Sequence, residues 1–105
     1  MQNGVKFSDG EGTLTARLFG EIDHHAVKSQ RSAIDAMIFR AKPERLVLDF
    51  SEVKFMDSSG IGLIIGRATV CETVGCEVSV TGLSGTQRKL IKLSGVEKIK
   101  GITLV

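Results

Sequence analysis

The chain has no tryptophan, no tyrosine, one proline, two cysteines and five phenylalanines among 105 residues. Without Tyr or Trp, and without arginines interleaved among aromatics, it offers no platform for stacking on bases, and a net charge of +2 is too small to draw a polyanion. Nucleic acid is therefore not an expected partner. The apolar stretches are broken by Gly, Arg or Asp well short of the roughly 18 residues a membrane span needs, and the N-terminal MQNGVKFSDG has no apolar signal core. No membrane contact and a cytoplasmic location are expected. Cys71 and Cys76 stand five apart with no other cysteine in the chain, which matches neither a CxxC redox pair nor a metal-ligand spacing. That spacing predicts two free thiols and no metal site.

What is present is the composition of an ordinary globular domain, 42% hydrophobic and 25% charged, and its length suits a single domain over 1–105. Val5 to Ser8 and Thr13 to Phe19 flank DGEG and predict a β-hairpin, its second strand one-sided through the alternation of Leu14, Ala16 and Leu18 with Thr13, Thr15 and Arg17. Asp23 is positioned to cap a helix with an apolar stripe at Val27, Ile34, Ile38 and Ala41, which Lys42-Pro43 stops. RLVLDF, Arg45 to Phe50, is a short continuous apolar run and predicts a central strand covered on both faces. A second helix is expected from about Ser58 to Val74, with Ile61, Ile64, Ile65 and Ala68 at helical spacing. EVSVTG reads as a strand, Thr86 as the cap of a short helix carrying Leu90, Ile91 and Leu93 that ends at Gly95, and GITLV as a last strand. The order β-β-α-β-α-β-α-β predicts an α/β domain with a mixed sheet of four or five strands and about three helices.

Strands separated by single helices run parallel, so their exits gather at one edge of the sheet. Those exits are GEIDHH (20–25), SEVKFMDSSG (51–60) and LSGT (83–86), which brings Asp23, Asp57, Ser58 and Ser59 into one neighbourhood although 34 residues separate the two acids. DSSG opens the second helix, where unpaired amides and the helix dipole favour negative charge. With Asp57 as the N-cap, Met56 and Ile61 take the hydrophobic-staple positions and Ser58 the first turn. The plain reading is that Asp57, Ser58 and Ser59 cap the helix while Gly60 permits close packing. Gly62 and Gly66, one turn apart, leave a flat strip on a helix that alanine would strengthen; it admits either close packing inside the domain or a partner. Arg88, Lys89, Lys92, Lys98 and Lys100 form either a solvated face or a surface for an acidic partner.

A catalytic serine needs a base and an oxyanion hole, and here the GxSxG elbow is missing and the only candidate bases, His24 and His25, diverge by about 100° if helical. Asp-Ser before a helix also resembles the attachment site of acyl carrier proteins, but those are acidic helical bundles. A sugar-transport phosphocarrier would set its histidine differently, and nucleotide binding lacks GxxxxGK[ST]. No cofactor and no catalysis of its own are expected.

GEIDHH, RLVLDF, FMDSSGIGLIIGR and the helix ending KLSGVEK, in this order and spacing, resemble the anti-sigma factor antagonists of the STAS class, above all those of stage II sporulation. The resemblance extends over essentially the whole chain, which closes on GITLV, so that a final helix of that family is expected to be absent or trimmed. It implies a STAS fold and a protein that, unphosphorylated, binds an anti-sigma factor serine kinase and releases a sigma factor. It further implies that Ser58, rather than Ser59, is the phosphorylated residue, that a serine phosphatase resets it, and that Asp23 neighbours that site; Asp23, Asp57, Ser58, Ser59, Gly60 and Gly62 are the expected partner-binding residues. Another phosphorylation-controlled STAS scaffold, a carrier protein and a small serine hydrolase are the alternatives.

Overall fold

A computed structural model describes residues 2–105. β1 (Gly4–Gly10) and β2 (Thr13–Ile22) form the expected antiparallel hairpin, closed by Glu11 and Gly12 with φ of 55° and 79°, the mirror-image two-residue turn that suits the twist of paired strands. After α1 (Ala26–Ala41), Lys42 turns left-handed and Pro43 blocks further helix. β3 (Arg45–Met56), α2 (Ser59–Val74), β4 (Glu77–Thr81), α3 (Gly85–Ser94), a 3-10 turn (Val96–Lys98) and β5 (Ile102–Leu104) complete the order. The five strands lie in chain order, β1 antiparallel to β2 and the others parallel, so β3 is the middle strand as its apolar run suggested.

The core is a single cluster in which Leu14, Ala16, Leu18, Leu46, Leu48, Phe50, Val78 and Val80 from the strands meet Ile34, Ile38, Leu63, Ile64 and Ile91 from the helices. β3 is not covered equally on both faces: Leu46, Leu48 and Phe50 are buried, while Val47 and Asp49 between them are only half-buried. The same alternation in β2 and β4 gives the sheet one well-covered face. Among the described residues three polar side chains are buried in the helix layer, Gln30, Arg67 and Gln87. Gln30, on the buried stripe of α1, donates from Nε2 to the Glu21 carbonyl at 3.0 Å and ties α1 to the end of β2. Arg67 of α2, 4% exposed, places Nε 2.8 Å from Asp35 Oδ1 of α1; burial is the main cause lowering its pKa.

Two local expectations change. Ser84, not Thr86, caps α3, accepting from the Gln87 amide while the Gln87 side chain accepts from the Ser84 amide; the S-x-x-Q spacing of a capping box is in the sequence. Cys71 and Cys76 are not free thiols but a disulfide. α2 ends between them, where Gly75 at φ 82° reverses the chain and the amides of Gly75 and Cys76 both donate to the Cys71 carbonyl. Five residues that would diverge on a continuous helix are thereby folded back to a Cα separation of 4.6 Å, within reach of a disulfide.

Candidate functional site

β2 and β3 continue together past the end of β4. Their pairing runs through Phe19↔Glu52, Gly20↔Val53 and Glu21↔Phe55 to Ile22↔Met56, with irregularities at Arg17/Phe19 and Gly20/Glu21. Gly20 is required at one of these: its φ is 81°, and a Cβ there would run into the Gln2 carbonyl and Asn3, whose Oδ1 accepts from the Glu21 amide at 2.7 Å. The Asp57 amide then donates to the Ile22 carbonyl at 3.1 Å, extending the ladder by one more residue. Asp23 and Asp57 therefore leave the sheet side by side. The third exit joins them: Gln87 Nε2 donates to the Val53 carbonyl at 3.2 Å, and a cavity of about 340 Å³ lies between Lys54, Phe55 and Met56 on one wall and Ser84, Thr86, Gln87 and Leu90 on the other. The convergence expected of the three loops is observed.

Each acid caps a helix. Asp23 Oδ1 accepts from the amides of His25 at 3.0 Å and Ala26 at 2.8 Å, and its carbonyl accepts from Val27 at 3.0 Å. The Ala26 hydrogen bond is the largest influence on its carboxyl, followed by partial desolvation in the opposite sense, the His25 amide and the two histidine rings; the net result is a pKa below the ordinary carboxylate value. The exposed rings of His24 and His25 meet edge to face, centroids 5.6 Å apart. Asp57 Oδ1 accepts from the Ser59 amide at 2.8 Å, and its carbonyl from Gly60 at 3.0 Å.

The two serines differ. Ser58 occupies the N-cap position and is exposed, and its side chain makes no capping hydrogen bond, because Asp57 has taken that role from the preceding residue. Ser59 is half-buried with its amide engaged. The amides at this helix start, expected to be unpaired, are occupied: Ser59 and Gly60 by Asp57, Ile61 and Gly62 by the Ser58 carbonyl at 3.1 and 3.4 Å. A group added to the Ser58 hydroxyl finds those amides taken and extends outward.

The glycines divide as well. Gly60 is buried, with Met56 packed against it where a Cβ would stand, so it supports the loop from inside. A Cβ at Gly62 or Gly66 would meet nothing within 4 Å, which rules out close packing inside the domain as the reason for that strip. Beside it Ile65 is 39% exposed, and across the loop Phe55 is 51% exposed. The sequence singled out neither as a surface residue: Ile65 falls within the apolar stripe of α2, and only the overhang of β3 beyond β4 shows that Phe55 has no sheet neighbour on that side. Among the described residues no group of three or more His, Cys, Asp or Glu side chains gathers as a metal set, and no helix is long and apolar enough to cross a membrane.

The sequence model of the STAS domain matches residues 6–104. The chain is 40% identical over 84 residues to an anti-sigma F factor antagonist of Lysinibacillus sphaericus, covering 80% of this chain and 72% of that protein. It is 36% identical over 98 residues to the anti-sigma F factor antagonist of Paenibacillus polymyxa, covering 93% and 84%. The solved structure of the anti-sigma factor antagonist SpoIIAA in its unphosphorylated form matches with a TM-score of 0.79 at 33% identity, over 96% of this chain and 87% of that one. The Bacillus SpoIIAA in its phosphorylated form matches with a TM-score of 0.72, also at 33% identity, over 96% and 90%. Motif order, sheet topology and the matched span agree, and the chain belongs to the STAS domain family.

Proposed function

We propose that this chain is an anti-sigma factor antagonist, a binding protein without a reaction of its own, whose contact with a serine-kinase anti-sigma factor is switched off by phosphorylation of Ser58. The observation that carries the reading is the exposed Ser58 hydroxyl at the start of α2, free of the capping role its position would ordinarily give it. The relatives named as anti-sigma F factor antagonists, and the existence of SpoIIAA in unphosphorylated and phosphorylated forms, support it. In this reading the docking surface consists of Asp23, Asp57, Ser58 and Ser59 with the open strip at Gly62, and a cytoplasmic serine phosphatase restores the active form.

The switch follows from charge and space. A phosphate adds about −1.5 to −2 charges at neutral pH beside two carboxylates already committed to the helix caps. The helix dipole tolerates that charge, so the domain keeps its fold, while a partner surface complementary to the unmodified loop meets added bulk and repulsion. Incubation with the cognate kinase and ATP, followed by phosphopeptide mapping, tests the assignment. One phosphate on Ser58, absent from Ser58→Ala, is the expected result; a label on Ser59 would refute it.

A further inference from the structure

The docking face leaves the other end of α2 unused, and there the two cysteines meet. Cys71 lies in the last turn of α2, 1% exposed, and Cys76 opens the approach to β4, 8% exposed. Cys76 lines a cavity of about 270 Å³ together with Ala68, Glu72, Glu77, Lys100 and Gly101, whereas Cys71 does not reach it. The approach of the two residues is set by the backbone, through the left-handed Gly75 and the two amides on the Cys71 carbonyl.

We infer that Cys71 and Cys76 are a thiol–disulfide exchange site that takes low-molecular-weight disulfides of the glutathione class, Cys76 reacting first and Cys71 resolving. In the forward direction the Cys76 thiol loses its proton and its sulfur attacks one sulfur of the small disulfide, forming a mixed disulfide and releasing one small thiolate. Cys71, deprotonated in turn, attacks the Cys76 sulfur and releases the second. Two protein thiols are oxidised, one small disulfide is reduced to two thiols, and the two protein protons are taken up by the leaving thiolates. The order follows from access, because only Cys76 faces the cavity, and from the helix, because the carbonyl end of α2 disfavours a thiolate at Cys71. Among the described residues Lys100 is the one cation lining the cavity, and Glu72 and Glu77 oppose it, so the exchange is slow at neutral pH and quickens as pH rises. The bond fastens the end of α2 to the start of β4 and leaves the Ser58 end of the helix unchanged.

The test uses the full chain, reduced and then incubated with excess oxidised glutathione. The wild type should lose two hydrogens in intact mass, form no disulfide between chains, keep no glutathione, and melt higher by about 10 °C, the effect expected of a disulfide that closes a short loop in a domain of this size. Cys71→Ala should stop at the first step and carry one glutathione on Cys76, while Cys76→Ala should carry none. Persistent free thiols in the wild type, a disulfide between two chains, or an adduct on Cys71 in Cys76→Ala would each overturn the proposal; the wild-type measurement decides even if a variant fails to fold.

Discussion

The two edges of the sheet are built in opposite ways. Where β3 and β4 begin, the connections are fastened: the amides of Glu44 and Arg45 share the Gly12 carbonyl at 2.8 and 3.1 Å, the Glu77 amide bonds Glu44, the Val78 amide bonds Gly101, and Cys71 is joined to Cys76. At the other edge β2 and β3 overhang β4, Ser58 and Phe55 stand exposed, and the glycine strip of α2 faces open space. Backbone bonds exist at both edges, but at the open one they hold Asp23 and Asp57 as caps, which leaves the hydroxyl of Ser58, between cap and helix, outside the capping bonds. The lesson is that the carboxylates which cap the two helices at this edge leave the Ser58 hydroxyl free to face outward.

Substitutions should respect that division. The largest effect is expected at the fastened edge: Leu46→Ala, at a fully buried position where β3 begins, should lose about 2–5 kcal/mol of stability in urea unfolding. A smaller loss would mean that this edge is less tightly packed than its burial implies. Gly62→Ala should do the reverse at the open edge, raising stability by about 0.5–1 kcal/mol because its Cβ meets nothing and helix propensity improves. The same change should weaken binding to the anti-sigma factor, and a variant that is more stable yet binds unchanged would remove the strip from the docking surface. The smallest effect is that of pH on the Asp23 cap. Its folded pKa lies below the unfolded one, so its stabilisation is fully present above about pH 4 and is lost as pH falls through the folded value. Thermal unfolding followed into that acid range should fall less steeply for Asp23→Asn, which keeps the cap geometry without the titration; identical slopes would show that the carboxylate charge contributes nothing there.

Much of this was legible beforehand because it depends on local chemistry. The alternation in Thr13 to Phe19, the run Leu46 to Phe50 and the stop at Pro43 each specify an element without help from the rest of the chain. The extension of β3 from Ser51 to Met56 was not legible, since SEVKFM has no clear alternation and is held as strand by its ladder to β2. The disulfide was hidden for a related reason: five residues apart means one thing within a helix and another across its end, and only the fold of Gly75 distinguishes them. At the site, the meeting of Asp23 with the DSSG loop followed from the parallel topology. The contrast between Gly60 and Gly62 depends on which side of α2 faces Met56, and identical residues give no sign of that.

The claim that Ser58 is the switch is tested most directly by titrating the anti-sigma factor with the unmodified protein, the Ser58-phosphorylated protein and Ser58→Asp, each at low and high salt. The unmodified protein should bind tightest, the phosphorylated form weakest, and Ser58→Asp between them, with a deficit that shrinks as salt screens the repulsion. Equal affinity of the phosphorylated and unmodified forms would contradict the account.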